Sequence, residues 1–141
     1  MSKTYESSCH CRTVGWKLTT AIDPQDWIIR ACQCSFCRAH GARCTSDPLA
    51  SVEFYCGDPA AIVHYRFGLN TADFILCARC GVYLGGVMQT GDGAFTTSNV
   101  NTLITDVGRL REPLLMHYGA ENEQARRQRR QQAWTPVAIM I

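Results

Sequence analysis

Seven of the nine cysteines in this 141-residue chain fall into three tight sets. Cys9-His10-Cys11 is a CxC pair, Cys32-Gln33-Cys34-Ser35-Phe36-Cys37 is CxCxxC, and Cys77-Ala78-Arg79-Cys80 is CxxC followed by Gly81. Cys44 and Cys56 stand alone. Thiolates two or three residues apart can share one soft metal ion, and zinc is the ion that cysteine sulfurs hold in a tetrahedron. A CxxC turn closed by glycine is a metal knuckle, and it needs a second pair from elsewhere. Cys9 and Cys11 are the partners for Cys77 and Cys80, because the remaining set is a self-contained trio. Four sulfurs make a closed, structural site, which would staple the N-terminal strand to one far along the chain. Cys32, Cys34 and Cys37 offer only three thiolates. Three protein ligands with one open position is the pattern of a catalytic zinc. The alternatives at the trio are a closed site completed by Cys44 or a histidine, and a metal-free redox dithiol of Cys34 and Cys37. Such a dithiol belongs at a strand-to-helix turn of an α/β fold.

The elements that must position these sets read as strands. Thr13–Leu18, Trp27–Ala31, Ala50–Tyr55, Ala61–Phe67, Ala72–Leu76, Val82–Met88 and Ala94–Val100 are short β-rich runs separated by Gly, Pro and Asp turns. Arg38–Ala42 reads as a turn, and Gly85-Gly86 as a close backbone approach inside a strand. The pattern predicts one mainly β domain over residues 1–141. Its core runs from about residue 8 to 118, and residues 119–141 form a tail. That tail opens with the polar run GAENEQARRQRRQQA, Gly119–Ala133, which predicts a surface helix with its acids first and its arginines after. Trp134 and the apolar run 137–141 should tie it down or pack on a neighbouring subunit, as in a homodimer.

A net charge of +2 argues against nucleic acid as the partner. The opening residues MSKTYESSCH hold no apolar run, and no stretch approaches a membrane span, so the expected location is the cytoplasm. Thiols there stay reduced, which favours metal over disulfides for so many cysteines.

At CHC (9–11), CQCSFCRAHGA (32–42) and FILCARCGVYLGG (74–86), in that order, the chain resembles the glutathione-dependent formaldehyde-activating enzymes, the family that includes centromere protein V. The likeness covers roughly Ser8 to Tyr118. It implies a β-tent fold of short antiparallel strands around zinc. It implies one structural zinc on Cys9, Cys11, Cys77 and Cys80, and one catalytic zinc on Cys32, Cys34 and Cys37. It further implies a carbon–sulfur lyase whose reaction, in the synthetic direction, joins glutathione to formaldehyde as S-hydroxymethylglutathione. One departure is visible: the family has glycine after CHC, where this chain has Arg12.

Chemically, an all-thiolate zinc suits the binding and deprotonation of a substrate thiol, which can then attack an aldehyde held within reach. Arg38 is the nearest cation for the carboxylates of glutathione, and His40 the nearest group for proton transfer. Asn99 and Asn101 could orient a ligand through their amides. The rival readings are a non-catalytic zinc module that meets a partner through the arginine-rich helix, and a carbon–sulfur lyase acting on a different thiol adduct.

Overall fold

The computed structural model describes residues 1–140. Eleven strands hydrogen-bond into one connected network: β1 (Lys3–Glu6), β2 (Val14–Thr20), β3 (Arg30–Cys32), β4 (Cys44–Thr45), β5 (Ser51–Cys56), β6 (Ile62–Tyr65), β7 (Asp73–Cys77), β8 (Tyr83–Thr90), β9 (Gly93–Asn99), β10 (Leu114–Met116) and β11 (Thr135–Ile139). Two α-helices accompany them, α1 (Ser35–His40) and α2 (Glu123–Ala133). No helix among the described residues is long and apolar enough to cross a membrane.

Strand β11 joins the two halves of this network. Its first residues pair antiparallel with Phe95 and Thr96 of β9, and Val137 and Ile139, with a register shift between them, run parallel to Val52 and Glu53 of β5. One half is β1-β2-β5, and the other is built on the β6-β7-β8-β9 meander. Strand β9 carries β8 on one edge, while its other edge is shared by β11 and β4. From β4 the sheet continues through β3 to β10.

Period-2 alternation decides what fills the space between the halves. Val14, Trp16 and Leu18 of β2 and Val52 and Phe54 of β5 point inward and meet Ile75, Leu84 and Val87. The Trp16 indole donates to the Leu84 carbonyl at 3.0 Å, so the largest core side chain also bridges the halves by a hydrogen bond. Phe74 and Leu76 point to the opposite face of β7, where they pack with Tyr83, Cys37 and Cys44. Strand β8 is therefore covered on both sides, and residues 83–88 are all buried. Gly85 lets it approach β9, since a Cβ there would collide with the Thr97 carbonyl.

The seven expected strands all exist, with shifted ends. Trp27–Ala31 is the largest shift: the strand is only Arg30–Cys32, because Trp27 closes a 3-10 turn by donating to the Pro24 carbonyl. Arg38–Ala42 is the end of α1 and its left-handed Gly41 cap rather than a free turn. The C-terminal helix starts at Glu123, capped by Asn122, whose side chain accepts from Ala125 N at 2.8 Å. It is a surface helix on one side only, since Arg130 is buried. The run 137–141 does tie the tail down through β11, with Ile141 lying outside the described residues.

Candidate functional site

Cys9 and Cys77 open two knuckles of the same design. Each donates its backbone N–H to a carbonyl five residues on, Val14 at 2.7 Å and Val82 at 3.0 Å. In each, the residue straight after the second cysteine takes a positive φ: 70° at Arg12 and 78° at Gly81. The two knuckles bring Cys9, Cys11, Cys77 and Cys80 together, with all four sulfurs within 4.8 Å of one another. Cys11 Sγ lies 3.7 Å from Cys9 Sγ and 3.6 Å from Cys77 Sγ. A zinc–sulfur bond of about 2.3 Å gives a tetrahedron with edges of about 3.8 Å, so the donor set fits zinc closely. Val14 N donates to Cys9 Sγ at 3.3 Å, as expected where a thiolate sits. Without metal the protons are shared unequally. Hydrogen bonds from Thr13 pull Cys11 down to about 6, and burial pushes Cys77 up to about 11.

The trio sits at the junction of β3 and α1. Cys32 ends the strand, Cys34 caps the helix by accepting from Cys37 N at 3.4 Å, and Cys37 lies in the helix's first turn. Their three sulfurs also fall within 4.8 Å of one another. Cys32 is pulled down to about 5, chiefly by the Cys37 thiol that donates to it and against the opposing effect of burial. The same hydrogen bond, with burial, pushes Cys37 up. A strand-to-helix turn thus exists here within a mainly β chain, so the location alone does not separate a metal site from a dithiol. The third sulfur completes a three-donor group suited to a metal ion, whereas a dithiol uses two.

Neither Cys44 nor His40 belongs to this close group among the described residues. Cys44 lies nearby, 8% exposed, with burial raising it to about 12. Cys56 donates to the Asp58 carbonyl at 2.9 Å, outside both clusters.

The trio opens on a cavity of about 720 Å³. Phe74, Tyr83 and Thr97 of the sheet line it, together with Met116–Ala120, residues of α2, Thr71 and Ala72. Four arginines line it, Arg30, Arg126, Arg129 and Arg130, and no Asp or Glu among the described residues does. Arg126 and Arg129 share Glu121, the latter through two bonds of 2.7 and 2.9 Å. Arg129 also stacks on Tyr118 at 3.6 Å. Arg126, Arg129 and Arg130, expected on a solvated face, line the cavity instead. The only sequence signal was Glu121 placed ahead of them, and it gave no face.

Arg38 and His40 are exposed on α1 and do not line the cavity; the His40 ring packs on Phe36 at 4.6 Å. His10 is exposed and outside both sulfur groups. Asn99 is buried and donates to the Tyr83 carbonyl at 2.9 Å. Asn101 accepts from Arg43 at 2.7 Å and donates to the Gly41 carbonyl at 2.8 Å. Both asparagines brace the frame of the trio.

Neither a family model nor a curated protein matches the chain. Among solved structures, the chain is similar to a Rhodobacter sphaeroides protein known from its crystal structure as a structural genomics target. The TM-score is 0.62 and the identity 28%, over 79% of this chain and 99% of that one. What these findings and the geometry establish is a mainly β protein with two cysteine clusters suited to metal.

Proposed function

We propose that this chain is a zinc-dependent enzyme of the carbon–sulfur lyase type, akin to the glutathione-dependent formaldehyde-activating family that its motifs resemble. It adds a thiol such as glutathione reversibly to a small aldehyde such as formaldehyde. The observation that carries this reading is the contrast between the clusters: four sulfurs that complete their own tetrahedron, and three that face a cavity. A purely structural role for the second cluster would need a fourth protein donor, and Cys44 and His40 are both outside the group.

Cys32, Cys34 and Cys37 would hold the zinc, which would lower the pKa of a substrate thiol so that it ionises near neutral pH. The chain's own contribution is placement. The Cys34 cap fixes the sulfurs to a helix turn, and Phe74 and Tyr83 give the cavity beside them aromatic lining. The basic wall draws an anionic substrate into the cavity, the task expected of Arg38. In the addition, sulfur forms a bond to the carbonyl carbon, the C=O π bond opens, and the proton lost by the thiol ends on the alcohol oxygen. No oxidant or reductant takes part.

The test pairs metal counting with product detection. Zinc-loaded protein should hold two zincs per chain and accelerate S-hydroxymethyl adduct formation, followed by NMR exchange between thiol, aldehyde and adduct. Cys34→Ser should lose one zinc, keep the other, and lose the acceleration. Unchanged zinc content and thiol binding in Cys34→Ser would overturn the proposal.

A further inference from the structure

Arg130 is the most buried cation of the cavity wall, 7% exposed. Arg126 and Arg129 have Glu121 as counter-charge, but among the described residues no acid pairs with Arg130. Its Nη1 donates to the Thr71 hydroxyl at 2.7 Å, and its guanidinium lies 4.7 Å from the Trp134 ring centroid. Its Nε is closed off with no acceptor. A buried cation without a counter-charge is strongly disfavoured unless something compensates it. Burial, with the fields of Arg129 and Arg126, lowers Arg130 to about 10, which leaves it charged at neutral pH. One hydroxyl and one aromatic face hold the group in place without neutralising it.

We propose that Arg130 anchors a carboxylate subsite in this cavity, with Thr71 fixing the guanidinium plane, so that the natural ligand carries a carboxylate besides the group that meets the cysteine trio. The carboxylate is favoured because one unpaired planar guanidinium matches one planar monoanion, with N–H groups left over after Thr71 to receive it. The identity of the ligand's other end rests on the thiol reading above; the anion subsite rests on Arg130 alone.

The experiment is calorimetric titration of the zinc-loaded full chain with 3-mercaptopropionate and with its neutral amide. Propionate and inorganic phosphate serve as thiol-free probes. Wild type should bind the acid roughly ten- to hundred-fold tighter than the amide, the range expected for charge-assisted hydrogen bonds. Arg130→Gln should bind the two alike, and Arg130→Lys should recover part of the preference. Thr71→Val keeps the charge and loses only the orienting hydroxyl. It should reduce the preference several-fold, which keeps the test decisive if Arg130→Gln fails to fold. Equal binding of acid and amide by wild type overturns the subsite and leaves thiol activation standing. Arg130-dependent binding of propionate with no thiol binding does the reverse. A preference that survives Arg130→Gln, or phosphate competing as well as the carboxylate, overturns the assignment, and no binding by any probe overturns both readings.

Discussion

Replacing Cys11 by serine should cost the chain about 4 kcal/mol of stability, through chain entropy rather than packing. Cys11 is exposed, so exchanging its sulfur for oxygen opens no cavity. Its Sγ lies 3.6 Å from that of Cys77, 66 positions along the chain. A cross-link closing a loop of that length removes freedom worth about 4.4 kcal/mol from the unfolded chain. A metal tie acts alike, provided the unfolded chain cannot hold both pairs on one ion. With an unfolding entropy of about 0.3 kcal/mol/K for a chain of this size, the Tm should fall by roughly 12–15 °C. The trio behaves differently. Its three sulfurs lie within one six-residue stretch, so the unfolded chain retains much of any metal bound there and the closed loop is short. Cys34→Ser should therefore lower the Tm by less than about 5 °C. Calorimetry on both variants, zinc-loaded and kept reduced, with zinc counted before each scan, decides the matter. The reasoning fails if Cys34→Ser costs as much as Cys11→Ser. It also fails if Cys11→Ser loses its zinc yet melts within about 3 °C of wild type.

Arg12 holds a φ of 70°, so Arg12→Gly should relieve about 1–2 kcal/mol of left-handed strain, offset by the extra freedom of glycine when unfolded, for a net gain of about 0.5–1 kcal/mol. Arg12→Ala keeps the Cβ and should gain nothing, and urea unfolding of both variants checks this. Glu121 is held below its ordinary value of 4.5, first by the Arg129 hydrogen bonds and then, against burial, by Arg126. A carboxyl lowered in the folded state stabilises above its unfolded pKa and loses that contribution as pH falls through the folded value. Glu121→Gln should thus cost about 1 kcal/mol at pH 7, with the gap to wild type closing as the pH drops below about 4. A gap that widens in acid would reverse the sign of the argument. Gly85→Ala should lose about 2–3 kcal/mol by driving a methyl into the Thr97 carbonyl, whereas Gly91→Ala, with open space around it, should be near neutral in the same unfolding assay.

What could be read from the residues alone follows from how local the signal is. The knuckles are local: Cys9-x-Cys11 and Cys77-x-x-Cys80 declare their own geometry, and their pairing follows once the trio is set apart. That Arg12 directly follows the first cysteine pair was legible too, though not its meaning. Only the positive φ at Arg12, matched by Gly81 in the other knuckle, shows why glycine suits that position. Strands β4 and β10 were not legible, because two or three residues carry no periodicity and their pairing comes from distant partners. Helix α1 hid among the cysteines, where Cys34 acts as a cap although cysteine is not a usual capping residue. Helix α2 was legible as a surface helix, but the cavity it borders was not. Its inner face carries Arg126, Arg129 and Arg130 rather than an apolar stripe, and no hydrophobic pattern reports a buried arginine.

That inner face is electrostatically intelligible once the trio is considered beside it. Three thiolates and one zinc ion sum to a single negative charge, and a substrate thiolate would add another. A cavity with apolar walls at Phe74 and Tyr83 would resist that accumulation, since charge in a low-dielectric pocket is poorly screened. Arg30, Arg126 and Arg129 on the wall would offset it, with Glu121 the one acid that the last two share. A zinc-loaded four-sulfur centre would carry two negative charges on the same count, but Cys11 is exposed there, so water would screen them. The helix that supplies Arg126 and Arg129 is fixed at both ends. Tyr118 and Glu121 grip its arginines near the start, and Trp134 leads at the other end into β11, which is locked between β9 and β5. The tail therefore lines the cavity beside the cysteine trio with three arginines.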